Sequence, residues 1–479
     1  MLGGSSVLNY MLYVRGNKGD YDGWERMGNP GWDYESVLPY FRKSEDNKNP
    51  YLARDTHHHG TEGYLTVQEP PWRTPIALSF IEAGVELGYE NRDCNGARQT
   101  GFMLPQANMR RGARCSTAKA FLRPVGDRTN LDILLESQVM KVIIDHNTKQ
   151  ARGVKFMRKG QVFQTYARKE VILSGGTVNT PQILMLSGIG PGQHLRHLGI
   201  PSIANLPVGQ NLMDHYGTFS LVGTLDQDVT LSENMLLPIL IPAILEYAKN
   251  DRGPLTLLGG VEGLSWINTK YANISLDRPD IELHFTSGHL ASESGAARTN
   301  HGVTDRVYDS LYSPLEGRNI FSFLVLLTRP NSKGHIKLAT RNPFDKPIIE
   351  AGYFTDEEDM KVLVEGMKFC LKVVKTKAFQ KYGGKIWSGR KMPGCEYLRL
   401  WSDEYLACLA RQYTNTGYHH VGTAKMGPAA DPTAVVDHRL RVHGIHGLRV
   451  VDASIMPTVP SGNTNAPTIM VGEKVTNQK

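Results

Sequence analysis

Apolar runs divide this chain into regions of different character. Glu170 to Ser174 (EVILS) is a continuous apolar run ending in Gly175 and Gly176, the pattern of a strand covered on both faces. Asn130 to Leu135 and Lys141 to Asp145, followed by the turn residues His146 to Lys149, predict a hairpin-like strand pair. Pro181 to Leu186 begins an apolar helix, with proline at a tolerated early position. From about Thr218 to Leu327 the loops lengthen, and alternating stretches such as Ile281 to Phe285 and Ile320 to Thr328 predict an antiparallel sheet. Over Asp356 to Val374, apolar residues recur near the 3.6-residue period and predict an amphipathic helix. Leu448 to Val451 predicts a buried strand, and Ala466 to Lys474 a helix with Pro467 in its first turn. The two ends read as one discontinuous α/β domain, residues 1–215 and 430–479, interrupted by a second domain over 216–429 built on an antiparallel sheet.

Composition narrows this picture. A chain of 479 residues exceeds the size at which one core stops growing, and 40% apolar with 21% charged residues describes an ordinary globular protein. The net charge of +7 comes without any Lys/Arg-rich run, which argues against nucleic acid as a partner. The longest uncharged apolar stretch, Met235 to Leu245, contains Pro238 and Pro242 and is far shorter than the ~20 residues a transmembrane helix needs. It reads as a buried segment or a surface lid, and no transmembrane segment is expected. MLGGSSVLNY has no basic n-region and no apolar core, so it does not read as a signal peptide; either this version is intracellular or the true start lies upstream. Five scattered cysteines without a CxxC predict neither a zinc site nor a disulfide framework. His57-His58-His59 reads as a solvated loop in preference to a metal site, since no further ligand spacing accompanies it, and no metal is expected. Asn273-Ile274-Ser275 is a glycosylation sequon.

Three segments carry chemistry. Gly3-Gly4-Ser5-Ser6-Val7-Leu8-Asn9 sets two glycines and two hydroxyls where backbone N–H groups can meet an anion or a polar ring edge; alone it is an ordinary glycine turn. Gly176 to Gly190 (GTVNTPQILMLSGIG) and Leu206 to His215 (LPVGQNLMDH) follow. The third comprises Tyr418-His419-His420-Val421-Gly422-Thr423, Val450 to Pro457, and Ser461-Gly462-Asn463-Thr464-Asn465-Ala466-Pro467-Thr468. With Tyr13, Gly16 and Asp22, these resemble the signatures of the glucose-methanol-choline (GMC) oxidoreductases, most closely their insect glucose dehydrogenase-like members, over essentially the whole chain.

The resemblance implies an FAD-binding Rossmann-like α/β domain interleaved with an α+β substrate domain. It implies oxidation of an alcohol or sugar-like CH–OH donor, with hydride passing to flavin N5 and a quinone or oxygen as electron acceptor. By position it makes His419 the general base and Asn465 the residue holding the substrate oxygen; an imidazole with an ordinary pKa near ~6.5 can accept a hydroxyl proton at neutral pH. Ser5, Asn9 and Met11 would meet the ring and diphosphate, Val139 the adenine, and Asp452, Ala453 and Pro467 the underside of the flavin. Val139 reads equally as an ordinary strand residue. The family opens on a strand, a GxGxxG loop and a helix, and no GxGxxG occurs in this chain. The amino-terminal segment for the nucleotide half of FAD is therefore expected to be missing. His420, Ala424 and Gly176 stand where Pro or Gly, Cys and Ala are common in the family. A hydroxynitrile-lyase-like member and a non-catalytic truncated isoform are the competing readings; full-length relatives point to an extracellular location.

Overall fold

A computed structural model describes residues 1–293 and 302–476. Its largest sheet has seven strands and is antiparallel throughout. In spatial order Lys385–Ile386, Tyr216–Thr224, Ile320–Leu327, Ile281–Thr286, Val261–Ile267 and Gly101–Met103 lie side by side, and Thr414–Thr416 also pairs with Tyr216–Thr224. One face packs on the Glu357–Val373 helix, where Leu363, Met367 and Cys370 are buried among Leu283, Phe285 and Val325. Directly opposed pairs share a face of a sheet, so Trp266, paired with Glu282, looks out from the other face. There Trp266 packs with Leu12, Val14, Met103 and Leu264 in a smaller apolar cluster of its own.

The second core belongs to the α/β part. Val171–Leu173 pairs in parallel with Leu448–Val450, bringing together strands almost 280 residues apart in the chain. The Gly176–Leu186 helix follows the first strand, and the helices Tyr34–Ser44 and Asn465–Val475 pack against each other. Among the described residues no helix is long and apolar enough to cross a membrane.

Several expectations change. Asn130 to Leu135 is an exposed loop; Ser137–Asp145 pairs instead with Gln150–Arg158 around the 146–149 turn, because the turn residues lie after this run and fold it forward. The Gly176–Leu186 helix starts five residues before Pro181. Proline's missing N–H would orphan the carbonyl of Thr177, and the Thr423 hydroxyl supplies that bond at 2.7 Å. The apolar stretch near residue 240 is not buried: in the Leu240–Asn250 helix Ala243 is buried, whereas Leu240, Ile241, Ile244 and Leu245 are exposed. The expected domain limits cut through both cores. Pro75–Glu86 and Gly101–Met103 join the sheet core, and Val421 to Met426 joins the α/β core. Cys395 and Cys408 form a disulfide, as the segment after Cys395 folds back along the Asp403–Gln412 helix.

His57-His58-His59 is only partly a solvated loop. His57 is exposed, but His59 is buried between Glu45 (Nδ1 to Oε1, 3.0 Å) and Asp93 (Nε2 to Oδ2, 2.7 Å). Glu45 is in turn paired with the fully buried Arg15 at 2.7 Å. Burial alone would lower the His59 pKa, but its hydrogen bonds to Asp93 and Glu45 outweigh that and raise it to about 9. This network anchors the segment following the Gly3-Gly4-Ser5 turn to the loops around residues 45, 59 and 93.

Candidate active site

His419 lies at the seam between the two cores, and its backbone is held before its side chain is. Asp214 accepts the His419 backbone N–H at 2.8 Å and, on its other oxygen, the hydroxyls of Tyr353 and Thr416 at 2.5 Å each. The turn that delivers His419 needs glycine at 417, since a Cβ there would stand 2.9 Å from the His215 carbonyl and 3.1 Å from His419 Nδ1. Tyr418 then takes the left-handed conformation (φ 57) and points into solvent.

The hydrogen-bond network assigns the proton positions on two histidines. His215 Nε2 lies 2.9 Å from the carbonyl oxygen of Thr328, an obligate acceptor, so Nε2 carries hydrogen. Burial disfavours the charged form of His215 and lowers its pKa, leaving Nδ1 as a lone-pair acceptor. His419 Nδ1, 2.9 Å away, must donate to it. The His419 pKa is well below the ordinary value, first through burial and then through the neighbouring His215, His284 and His420. A neutral imidazole protonated at Nδ1 presents a bare Nε2. That nitrogen faces the Asn463 side-chain amide at 3.0 Å.

Asn463 is set by a chain of bonds on Ser461. Asp20 accepts the Ser461 N–H at 2.6 Å and its hydroxyl at 3.0 Å, while Gln99 and Trp266 donate to the Ser461 carbonyl at 2.6 and 3.2 Å. Asn463 Oδ1 is buried without a hydrogen-bond partner among the described residues. From the sheet, Glu282 accepts a hydrogen bond from His284 Nε2 at 2.9 Å, adding a second ordered imidazole next to His419.

The sequence-derived residues divide. His419 is buried at this seam, hydrogen-bonded to His215 and Asn463. Asn465 is not beside it: its amide donates to Asn108 Oδ1 at 2.8 Å, and Asn463, two residues earlier, takes the place at the histidine. The Asn465–Val475 helix begins at Asn465 and turns its side chain away from the loop that Asn463 still occupies. Met11 joins this side through its carbonyl, which accepts the Asn108 N–H at 2.7 Å. The Asp452 carboxylate is fully engaged by protein, accepting from Gly176 N–H, the Thr180 hydroxyl, and the Ser454 N–H and hydroxyl at 2.5–2.9 Å. It orders the 452–454 turn, in which Ala453 accepts the Gly422 N–H at 3.4 Å. Asn9 Oδ1 accepts from the Met11 N–H and from Arg114 at 3.0 Å each, Ser5 is exposed, and Pro467 is buried in the first turn of its helix. Val139 sits on the Ser137–Asp145 strand, and no side-chain bond ties it to these segments. Asp214, His215 and Asn463 lay inside quoted motifs but carried no role, because spacing along the chain does not reveal which side chain meets which.

Fold and site together describe an α/β part and an antiparallel sheet that meet at a histidine. GMC oxidoreductase family models match residues 1–217 and 330–472, and the chain belongs to the GMC oxidoreductase family. It is 42% identical over 479 residues to glucose dehydrogenase (FAD, quinone) of Drosophila pseudoobscura pseudoobscura, covering 99% of this chain and 73% of that protein. It is 36% identical over 476 residues to mitochondrial choline dehydrogenase of Homo sapiens, covering 98% and 74%. Among solved structures, formate oxidase of Aspergillus oryzae RIB40 superposes with a TM-score of 0.85 at 27% identity, covering 99% of this chain and 82% of that one.

Proposed function

We propose that this protein is an FAD-dependent oxidoreductase that oxidises the CH–OH group of an alcohol or sugar-like donor, with His419 as general base. The observation that carries the reading is the bare, buried Nε2 of His419 facing the Asn463 amide. A donor hydroxyl that displaces this hydrogen bond gives its proton to Nε2 while its oxygen accepts from Asn463 Nδ2. As alkoxide character develops, the amide stabilises it, and the imidazolium keeps its Nδ1–H bond to His215. A quinone or oxygen, the acceptors fitting the relatives' names, would complete the turnover.

The residues present fit a flavin. The Asn465–Val475 helix starts without a side-chain cap, so its first amides are open to an outside acceptor. Gly4 (φ 55) and Gly176 (φ 80) each border open space, with nothing within 4 Å of where a Cβ would stand. Ser5, Asn9 and Met11 on one side, and Ala453 and Pro467 on the other, would hold the cofactor. When bound, FAD supplies the hydride acceptor that the protein lacks.

The test is anaerobic mixing of the flavin-loaded protein with alcohols and sugars. Donor-dependent bleaching of the flavin absorbance is expected; a turned-over substrate that leaves the flavin oxidised would point to a lyase. Within this scheme Asn463→Ala slows flavin reduction by ~10²–10³-fold, the usual cost of removing one donor to a developing oxyanion. Asn465→Ala affects reduction far less. Stopped-flow reduction rates of the two variants check the assignment, and the reverse order would return the role to Asn465.

A further inference from the structure

The sequon Asn273-Ile274-Ser275 plays no part in the site described above. It lies in the turn that joins the sheet strands Val261–Ile267 and Ile281–Thr286, and Asn273 is exposed. The side chain is already folded onto its own hydroxyl partner: Oδ1 accepts the Ser275 N–H at 3.1 Å and the Ser275 hydroxyl at 2.7 Å. Nδ2 is thus the free end of the group.

The surroundings of Asn273 are unusual for a polar turn. Tyr271, Ile274 and Leu276 are 47%, 76% and 59% exposed, so three large apolar side chains close to the asparagine in the chain stand in solvent. Tyr271, two residues before Asn273, is 47% exposed and has the Lys270 ammonium 5.2 Å from its ring centroid. An aromatic face bounded by aliphatic groups is a platform for the C–H face of a sugar ring. Independently, Cys395–Cys408 is a disulfide, a bond that persists in the oxidising compartments of the secretory route, where asparagine-linked sugars are added.

We propose that Asn273 is a site of N-linked glycosylation and that the first sugar of the glycan packs on Tyr271. In the transfer, Asn273 Nδ2 forms a bond to the anomeric carbon of a lipid-diphosphate-linked oligosaccharide. The carbon–oxygen bond to the diphosphate breaks, the lipid diphosphate leaves with the electron pair, and the amide nitrogen gives up one proton to a base of the transferase. No oxidant or reductant is required.

The experiment expresses the chain through a eukaryotic secretory pathway and combines intact mass, peptide N-glycosidase treatment and disulfide mapping. A heterogeneous mass excess is expected that the glycosidase removes, converting Asn273 to Asp, with Cys395 and Cys408 joined. Ser275→Ala abolishes the excess, whereas Ser275→Thr retains it. Removing the glycan lowers the melting temperature of the wild-type chain, and Tyr271→Ala shrinks that difference without removing the glycan. An unmodified Asn273 in secreted protein with the disulfide formed would overturn the proposal. A glycan whose removal leaves the melting temperature unchanged would overturn its Tyr271 part.

Discussion

His419→Ala is expected to slow flavin reduction by ~10²–10⁴-fold, the range that a positioned general base contributes, while His420→Ala changes it far less. The distinction is geometric. His419 presents an unprotonated Nε2 to Asn463, whereas His420 turns toward Asp214, Nε2 to Oδ2 at 3.4 Å, on the outer side of the same turn. His215→Phe tests the tautomer argument, because it removes the acceptor that holds the His419 proton on Nδ1. That variant should lose rate while keeping donor affinity, since His215 positions the base and does not touch the donor. The pH dependence follows from the depressed pKa of His419, which burial and three neighbouring imidazoles cause. A base needed in its neutral form stays active as pH falls through the ordinary value of 6.5, and reduction fails only at more acidic pH. Transient reduction kinetics across pH check this; a loss of rate centred at or above 6.5 would contradict it.

The second large effect is on folding. Arg15→Met is expected to destabilise the protein by about 3–5 kcal/mol, because it removes one of the two cations from a buried cluster and leaves Glu45 and Asp93 to share His59 alone. The double variant Arg15→Met/Glu45→Gln should recover part of this loss, as it removes the stranded charge along with the cation. The His59 contribution has a definite sign. Its pKa is raised from 6.5 to about 9 in the folded protein, so the stability it adds is complete below pH 6.5 and is lost as pH rises through about 9. Asp93 and Glu45 pull the other way: burial would raise their pKa values, yet His59 for Asp93 and Arg15 with His59 for Glu45 lower them, so their contribution is lost on acidification. Thermal melts from neutral to alkaline pH should show a decline that His59→Gln flattens. An Arg15→Met melt close to that of wild type would show that the pair does not hold the fold.

Much of this was legible in the one-dimensional pattern. The apolar runs over residues 281–286 and 320–327 mark strands buried on both faces, those over 171–173 and 448–450 mark strands too, although Ile172 is exposed and the expected cover on its face is not there, and the 3.6-residue period marks the Glu357–Val373 helix. The motifs around His419 and Ser461 to Thr468 likewise identified the family. Other features depended on contacts between distant parts of the chain. The sequence could not separate Asn463 from Asn465, because the choice turns on where a helix begins and on the Asp20, Gln99 and Trp266 bonds that hold Ser461. The proton on His419 is set by a carbonyl at Thr328, 91 residues earlier in the chain, acting through His215. His59 became a buried cation because Glu45 and Asp93 close on it, and Cys395 meets Cys408 because a loop doubles back along a helix. Local pattern records which residues must be buried; hydrogen bonds across tens to hundreds of residues decide which buried polar groups face one another, and those pairings make the site.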